Sequence, residues 1–376
     1  MRARVSNPPR LDPSNPPPPS FLSFTQTFSM PSHSQFLLSL HLLSATSVLA
    51  LVRSDWPPGF ATPPTNTAWT QSILNGINVP STPPRPAGSS SQTTADPSDI
   101  TACPDANAWA PTYDDGPGPE TDASTITPLD TRKLKGTFFV TGQQVAEYPD
   151  VLLKAFKSGH QIAIHTWSHK ALSTLTNDEI VAEIVWTARI IKEVTGSVPT
   201  MMRPPFADID TRVRAIVNAM GLKIVMWNRD TNDWCYNTRP AALPCAPSDT
   251  AAVIPRQFQT WVQQVPQQGV VSLQHDFFAP GASQIPATLD ILSGSSYKVS
   301  TVAECTRFPP YDNAWLDKLT ATVNPSDSSK KGTDGGNNQP GNNQKGTTPA
   351  KSAAGKASGW WIVQFFAILI PVALFG

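Results

Sequence analysis

Between residues 108 and 302, short apolar runs alternate with longer segments of helical period, and this alternation constrains the fold more than any other feature of the chain. The runs read as strands over 108–113, 136–140, 161–165, 200–203, 223–227, 270–274 and 298–302. The segments between them read as helices near 143–157, 177–194, 211–220, 250–265 and 285–292. The second helix carries its own start and stop signals. Thr176 and Glu179 have the spacing of a capping box, and Gly196 follows the last periodic residue. Ile180, Ile184 and Ala188 fall on one of its faces. Strands alternating with helices imply an α/β fold with a parallel sheet, open or closed into a barrel.

Outside this region the composition changes. Proline accounts for 39 of 376 residues, about twice the usual ~5%. Lys+Arg 28 balance Asp+Glu 28, and zero net charge argues against a nucleic-acid partner, which would leave a basic footprint. Residues 51–100, rich in Pro, Ser and Thr, are expected to form an extended spacer, and residues 323–358 a flexible Gly- and Asn-rich stalk. The folded domain is expected over 101–322. Residues 1–50 read as a signal-peptide region, with Met30 as a candidate true start. The apolar run from Phe36 is too short to span a bilayer and ends in Val48-Leu49-Ala50. Residues 359–376 carry the uncharged tail WWIVQFFAILIPVALFG, with nothing basic after it. Small residues at Gly346-Thr347-Thr348 and Ser352-Ala353-Ala354 precede it, which is the order of a GPI-anchor signal, with a plain tail anchor as the alternative. Both signals imply export, so the four cysteines are expected to form two disulfides, for which three connectivities exist. Cys235 and Cys245 suit a local bridge, which would leave Cys103 and Cys305 to tie the start of the domain to its end.

Five polar clusters follow five of the strands. They are Thr112-Tyr113-Asp114-Asp115-Gly116-Pro117, His165-Thr166-Trp167-Ser168-His169, Arg203-Pro204-Pro205-Phe206, Asp230-Thr231-Asn232-Asp233-Trp234 and Leu273-Gln274-His275-Asp276. Each alone has a plain explanation: Asp-Gly is an ordinary turn, Trp234 could be core, and His275 could be a packed histidine. Together they gather at one mouth, because the loops after parallel barrel strands converge there. Adjacent carboxylates repel, and a cation beside them is one way to keep both charged. His165 and His169 add two neutral nitrogens, and one carboxylate completes a three-ligand site with open positions, the pattern of catalytic zinc.

In this order the five clusters resemble the motifs of the polysaccharide deacetylases (NodB homology domain, carbohydrate esterase family 4), the fungal chitin deacetylases among them. The likeness covers about residues 102–305 and implies a distorted (β/α) barrel with about seven parallel strands. It also implies roles. Asp114 is the general base, and Asp115, His165 and His169 hold one metal ion, zinc (Zn2+) or cobalt (Co2+). Arg203 pairs with Asp114, and Phe206 offers its backbone N–H to the oxyanion. Asp233 supports the network, Trp234 walls the sugar groove, Leu273 forms the acetyl pocket and His275 is the general acid. Tyr113 and Phe206 stand where the family has Phe and Tyr; the Phe206 N–H survives that change, the hydroxyl contact does not. The implied reaction is removal of N-acetyl groups from chitin, an N-acetylglucosamine polymer, by a monomer that is GPI-anchored to the membrane at the cell surface and wall. Acetylxylan or another acetylated glycan is the alternative substrate, and a non-catalytic wall-anchored carbohydrate-binding protein the alternative class. A zinc protease fits poorly, because His165-Thr166-Trp167-Ser168-His169 lacks the Glu of H-E-x-x-H.

Overall fold

The structure, a computed structural model, describes residues 53–237, 250–264 and 267–321. Its strands are β1 (Ala108–Asp114), β2 (Thr137–Val140), β3 (Gln161–Ile164), β4 (Met201–Met202), β5 (Lys223–Ile224), β6 (Arg229–Asp230), β7 (Val270–His275) and β8 (Lys298–Val299). All pairings are parallel, in the order β5-β4-β3-β2-β1-β7-β6, with β8 beside the start of β1. The path is open, yet its two ends, β5 and β6, are separated by only residues 225–228. The sheet is therefore a half-barrel whose edges are bridged by the chain itself. Seven strands match the sequence expectation; β6, a polar Arg-Asp pair, gives no periodic signal.

Every residue of β1 is buried, as expected of a strand flanked on both sides in a parallel sheet. Pro111 within it cannot donate to a ladder, and the geometry spares it that need. Trp109 O accepts from Ser300 N of the β8 segment and Asp115 N donates to Phe139 O of β2, so residues of this parity face that edge. Pro111 lies between them, where β8 has ended and the β2 register has yet to begin at Thr112.

The helices are α1 (Thr67–Leu74), α2 (Thr127–Thr131), α3 (Gly142–Glu147), α4 (Pro149–Lys157), α5 (Asn177–Thr195), α6 (Thr211–Ala219), α7 (Val253–Trp261), α8 (Ala279–Ala282), α9 (Ile285–Ser293), α10 (Val302–Thr306) and α11 (Ala314–Ala321). The helix expected over 143–157 is two, divided at Tyr148 where Pro149 starts the second. The capping box of α5 forms as expected, and Gly196 closes it in the left-handed region at φ 77°.

Residues 53–98 are not the extended spacer expected from their composition. Trp69 of α1 is buried, Trp56 stacks on Trp167, and Trp186 Nε1 donates to Pro64 O. Further on, Thr94 N donates to Ile209 O and Gln92 N to the buried Asp208 carboxylate. The physical reason is that two tryptophans and α1 supply enough apolar surface to dock an otherwise polar stretch on α5.

Inside the curl, Ala110, Phe139, Ala163, Met201 and Val271 pack together as the barrel interior. Strand residues two apart share a face, so Asp114, His165, Arg203 and His275 project on the same side as these residues, one or two steps nearer the C-terminal ends. Across β1 and β7 the register pairs Asp114 with His275 and Thr112 with Leu273. The opposite end is plugged by α10, where Val302 N donates to Thr137 Oγ1 and Ala303 N to Gln161 Oε1. Cys305 of α10 is disulfide-bonded to Cys103, with Cα atoms 5.5 Å apart, as expected. Cys235 is also disulfide-bonded; its expected partner, Cys245, lies outside the described residues, as do 1–50, 323–358 and the tail 359–376. Among the described residues no helix is long and apolar enough to cross a membrane.

Candidate functional site

Asp114 ends β1 and is 3% exposed. The Arg203 guanidinium, fully buried, donates to Asp114 Oδ1 at 2.6 Å, to Thr112 Oγ1 at 2.8 Å, and to the carbonyls of Val225 and Met226. Those carbonyls belong to the β5-to-β6 crossing, so Arg203 satisfies the seam of the half-barrel and orients Asp114 at once.

Asp115 turns away. Its φ of 80° directs the carboxylate toward the loop after β3. Asp115 Oδ1 lies 3.4 Å from His165 Nε2 and 3.2 Å from His169 Nε2, and it is buried without a hydrogen-bond partner. Donor atoms of these three residues all fall within 4.8 Å of one another. His165 Nδ1 faces Arg203 O at 2.8 Å, and a carbonyl can only accept, so the neutral ring carries its proton there and keeps the Nε2 lone pair free. An orphaned carboxylate oxygen facing two imidazole nitrogens, one with its lone pair fixed inward, fits a divalent cation.

On the other side, Asp233 is buried and receives both His275 Nδ1–H and the His275 backbone N–H, each at 2.7 Å. Burial works against protonation of His275, but the Asp233 carboxylate, helped by Asp115 and Asp114, raises its pKa to about 10. Gly281 is required beside it, because a Cβ there would meet Asp233 Oδ2 at 2.8 Å.

The remaining expected residues line the same mouth. Phe206, 56% exposed at φ 58°, meets the His169 ring edge-on at 4.7 Å. Trp234 is 42% exposed directly after Asp233, and Leu273 is buried one step below His275 on the same strand face. Among the described residues nine non-glycine residues have positive φ, and six of them (Asp115, Thr166, His169, Phe206, Ala207 and Asn232) lie in these loops, so uncommon backbone conformations concentrate where the polar groups converge.

Residues 101–225 match the family model described as polysaccharide deacetylase. The chain carries a polysaccharide deacetylase domain. The matched segment of this domain holds Asp114, Asp115, His165, His169, Arg203 and Phe206. The chain is 35% identical to chitin deacetylase 1 of Cryptococcus neoformans var. grubii over 290 residues, 68% of this chain and 59% of that protein. It is 42% identical over 136 residues to chitin deacetylase 1 of Saccharomyces cerevisiae, 36% of this chain and 43% of that protein. The aligned part thus spans less than two thirds of the length of these relatives. A solved chitin deacetylase from Colletotrichum lindemuthianum aligns with a TM-score of 0.50 and 24% identity over 61% of this chain and 97% of that one, a likeness of fold.

Three residues around the deacetylase domain's candidate site received no role in the motif reading, Asp276 among them although it stands in the fifth cluster. Glu183 of α5 is fully buried and accepts from the backbone N–H groups of Trp167 and Ser168 and from Ser168 Oγ, so it clamps the loop between His165 and His169. A carboxylate three residues after Ile180, on the apolar face, was the available signal. Asp276, also fully buried, accepts from Gly116 N beside Asp115; burial raises its pKa to about 7. Gln143 holds the Phe60 N–H, a pairing across 83 positions that no local pattern marks.

Proposed function

We propose that the protein hydrolyses the N-acetyl groups of chitin, leaving glucosamine units and acetate. One observation carries this reading: a base-and-clamp pair (Asp114, Arg203), a metal-ligand triad (Asp115, His165, His169) and an acid-and-support pair (His275, Asp233) face one another at a single mouth. The names of the relatives supply the substrate class.

A divalent ion held by Asp115, His165 and His169, Zn2+ or Co2+ by the donor set, lowers the pKa of water and polarises the acetyl carbonyl when bound. Asp114, fixed by Arg203, takes the proton of the attacking water. The Phe206 N–H is the chain's own donor to the developing oxyanion. His275 keeps its proton at neutral pH through Asp233 and delivers it from Nε2 to the departing amine, which an amide requires and Nδ1 cannot supply. Leu273 receives the acetyl methyl, and Trp234 walls the sugar groove. Export through the 1–50 region and a GPI anchor replacing 359–376 put this monomer at the outer cell surface against the wall. The Cys103–Cys305 disulfide supports that location, since such bonds persist in oxidising compartments.

The test is acetate release by the Zn2+-loaded full chain from chitin oligomers and from acetylxylan. Release from the oligomers, abolished by a chelator and restored by Zn2+ or Co2+, is the expected result. Metal-loaded protein that releases acetate only from acetylxylan, or from neither, overturns the chitin reading.

A further inference from the structure

Beside the metal-ligand triad a cleft of about 270 Å³ opens, with Asp115 and His169 on its floor and the rings of Phe60, Phe206, Phe277 and Phe278 around it. Phe60 is the most exposed large apolar residue described, at 73%, and it comes from the segment that precedes the deacetylase domain in sequence. We propose that this preceding segment forms one side of the substrate groove, with Phe60 as a stacking platform for a further N-acetylglucosamine unit of the bound chain. The proposal rests on the deacetylase reading above and adds a residue outside the five motifs.

Phe60 is held, not merely exposed. Its N–H donates to Oε1 of the buried Gln143, which follows β2. Four residues earlier Trp56 stacks on Trp167 with ring centroids 6.4 Å apart and planes 16° from parallel, and two residues later Thr62 Oγ1 accepts from Lys170 Nζ. Both contacts lie on or beside the loop that carries His165 and His169, so the segment and that loop form one body. The backbone of Phe60 has φ 60°, a region bulky side chains rarely adopt. A ring kept in water by such a backbone, at the edge of a cleft that contains the proposed reacting groups, has an apolar face that the described residues leave largely uncovered. A pyranose with equatorial substituents presents flat C–H faces of matching size, and the cleft is continuous with the place where the acetyl group must lie. A polysaccharide chain is thus the occupant whose next unit reaches Phe60 while one acetyl sits at the triad.

The decisive measurement is calorimetric binding of the N-acetylglucosamine tetramer to Zn2+-loaded full chain carrying Asp114→Asn to block turnover. Adding Phe60→Ala should raise the Kd about tenfold, roughly the loss of one stacked aromatic, and Phe60→Trp in its place should bring it back within about twofold. An unchanged Kd in Phe60→Ala, a Phe60→Trp variant as weak as the alanine, or a parent that does not bind the tetramer each overturns the platform. Acetate release by the chain with Asp114 intact is scored separately. If that fails while the Kd series behaves as expected, the platform stands and the deacetylation reading falls.

Discussion

Asp114 and Asp115 are neighbours in sequence with opposite surroundings. The strand period sends Asp114 into the barrel under Arg203, and the positive φ of Asp115 turns the next carboxylate toward two imidazoles. Asp115→Ala should therefore lose bound metal, whereas Asp114→Asn should keep it and lower kcat by ~10²–10⁴-fold; elemental analysis beside acetate release separates the two. Equal metal loss in both would mean their roles are not distinct. His275 gives a prediction in pH. Its proton is held by Asp233 against the cost of burial, so removing that charge with Asp233→Asn lowers the pKa of His275. With His275 as the leaving-group acid proposed above, the alkaline limb of the kcat/KM profile should move to lower pH. An unmoved limb would show that another group sets it. These motif residues were legible in the sequence because each is a chemistry-bearing side chain at the end of a recognisable strand. Phe60 was not, since its place depends on a hydrogen bond to Gln143 and a tryptophan stack far along the chain.

Among the elements, α5 does more than cover the sheet. Its apolar face carries Glu183, whose carboxylate satisfies two backbone N–H groups between His165 and His169. Glu183→Leu leaves those groups unpaired and should weaken Zn2+ binding by roughly 10–100-fold, with Glu183→Gln losing less because its carbonyl still accepts. A competition titration with a zinc chromophore reads this directly. Seven strands and the long helix α5 were read correctly because their apolar periods are strong, whereas 143–157, read as one helix, is divided at Pro149 and β6 is two polar residues with no period. Helix α1 was read as part of a spacer because proline and serine dominate around it. The structure nevertheless buries Trp69 at 5% exposure against the domain. Trp69→Ala should cost ~3–5 kcal/mol in urea unfolding; no change in midpoint would show that the segment does not unfold with the rest.

The whole molecule has two unlike poles. At one, the strand ends open into the groove. At the other, α10 plugs the barrel, the Cys103–Cys305 bond closes a loop of 202 positions, and the Tyr311 hydroxyl accepts from Ile162 N at the start of β3. Cys305→Ser should lower stability by about 2–5 kcal/mol, since releasing so long a loop restores much freedom to the unfolded chain; denaturant unfolding of the variant against the oxidised parent measures it. The expectation of a parallel barrel held at this scale, but the open seam did not show in the sequence, because four residues joining two edges look like any short turn. After Tyr311 the chain stays at the plugged pole, where Asn313 bonds Gly196 just past the end of α5 and Lys192 pairs with Asp317. The last described helix, α11, therefore begins at the foot of a cup whose rim gathers the candidate catalytic groups. Fastened to any surface by its C-terminal side, the cup stands upright, its rim turned outward to whatever polymer lies beyond.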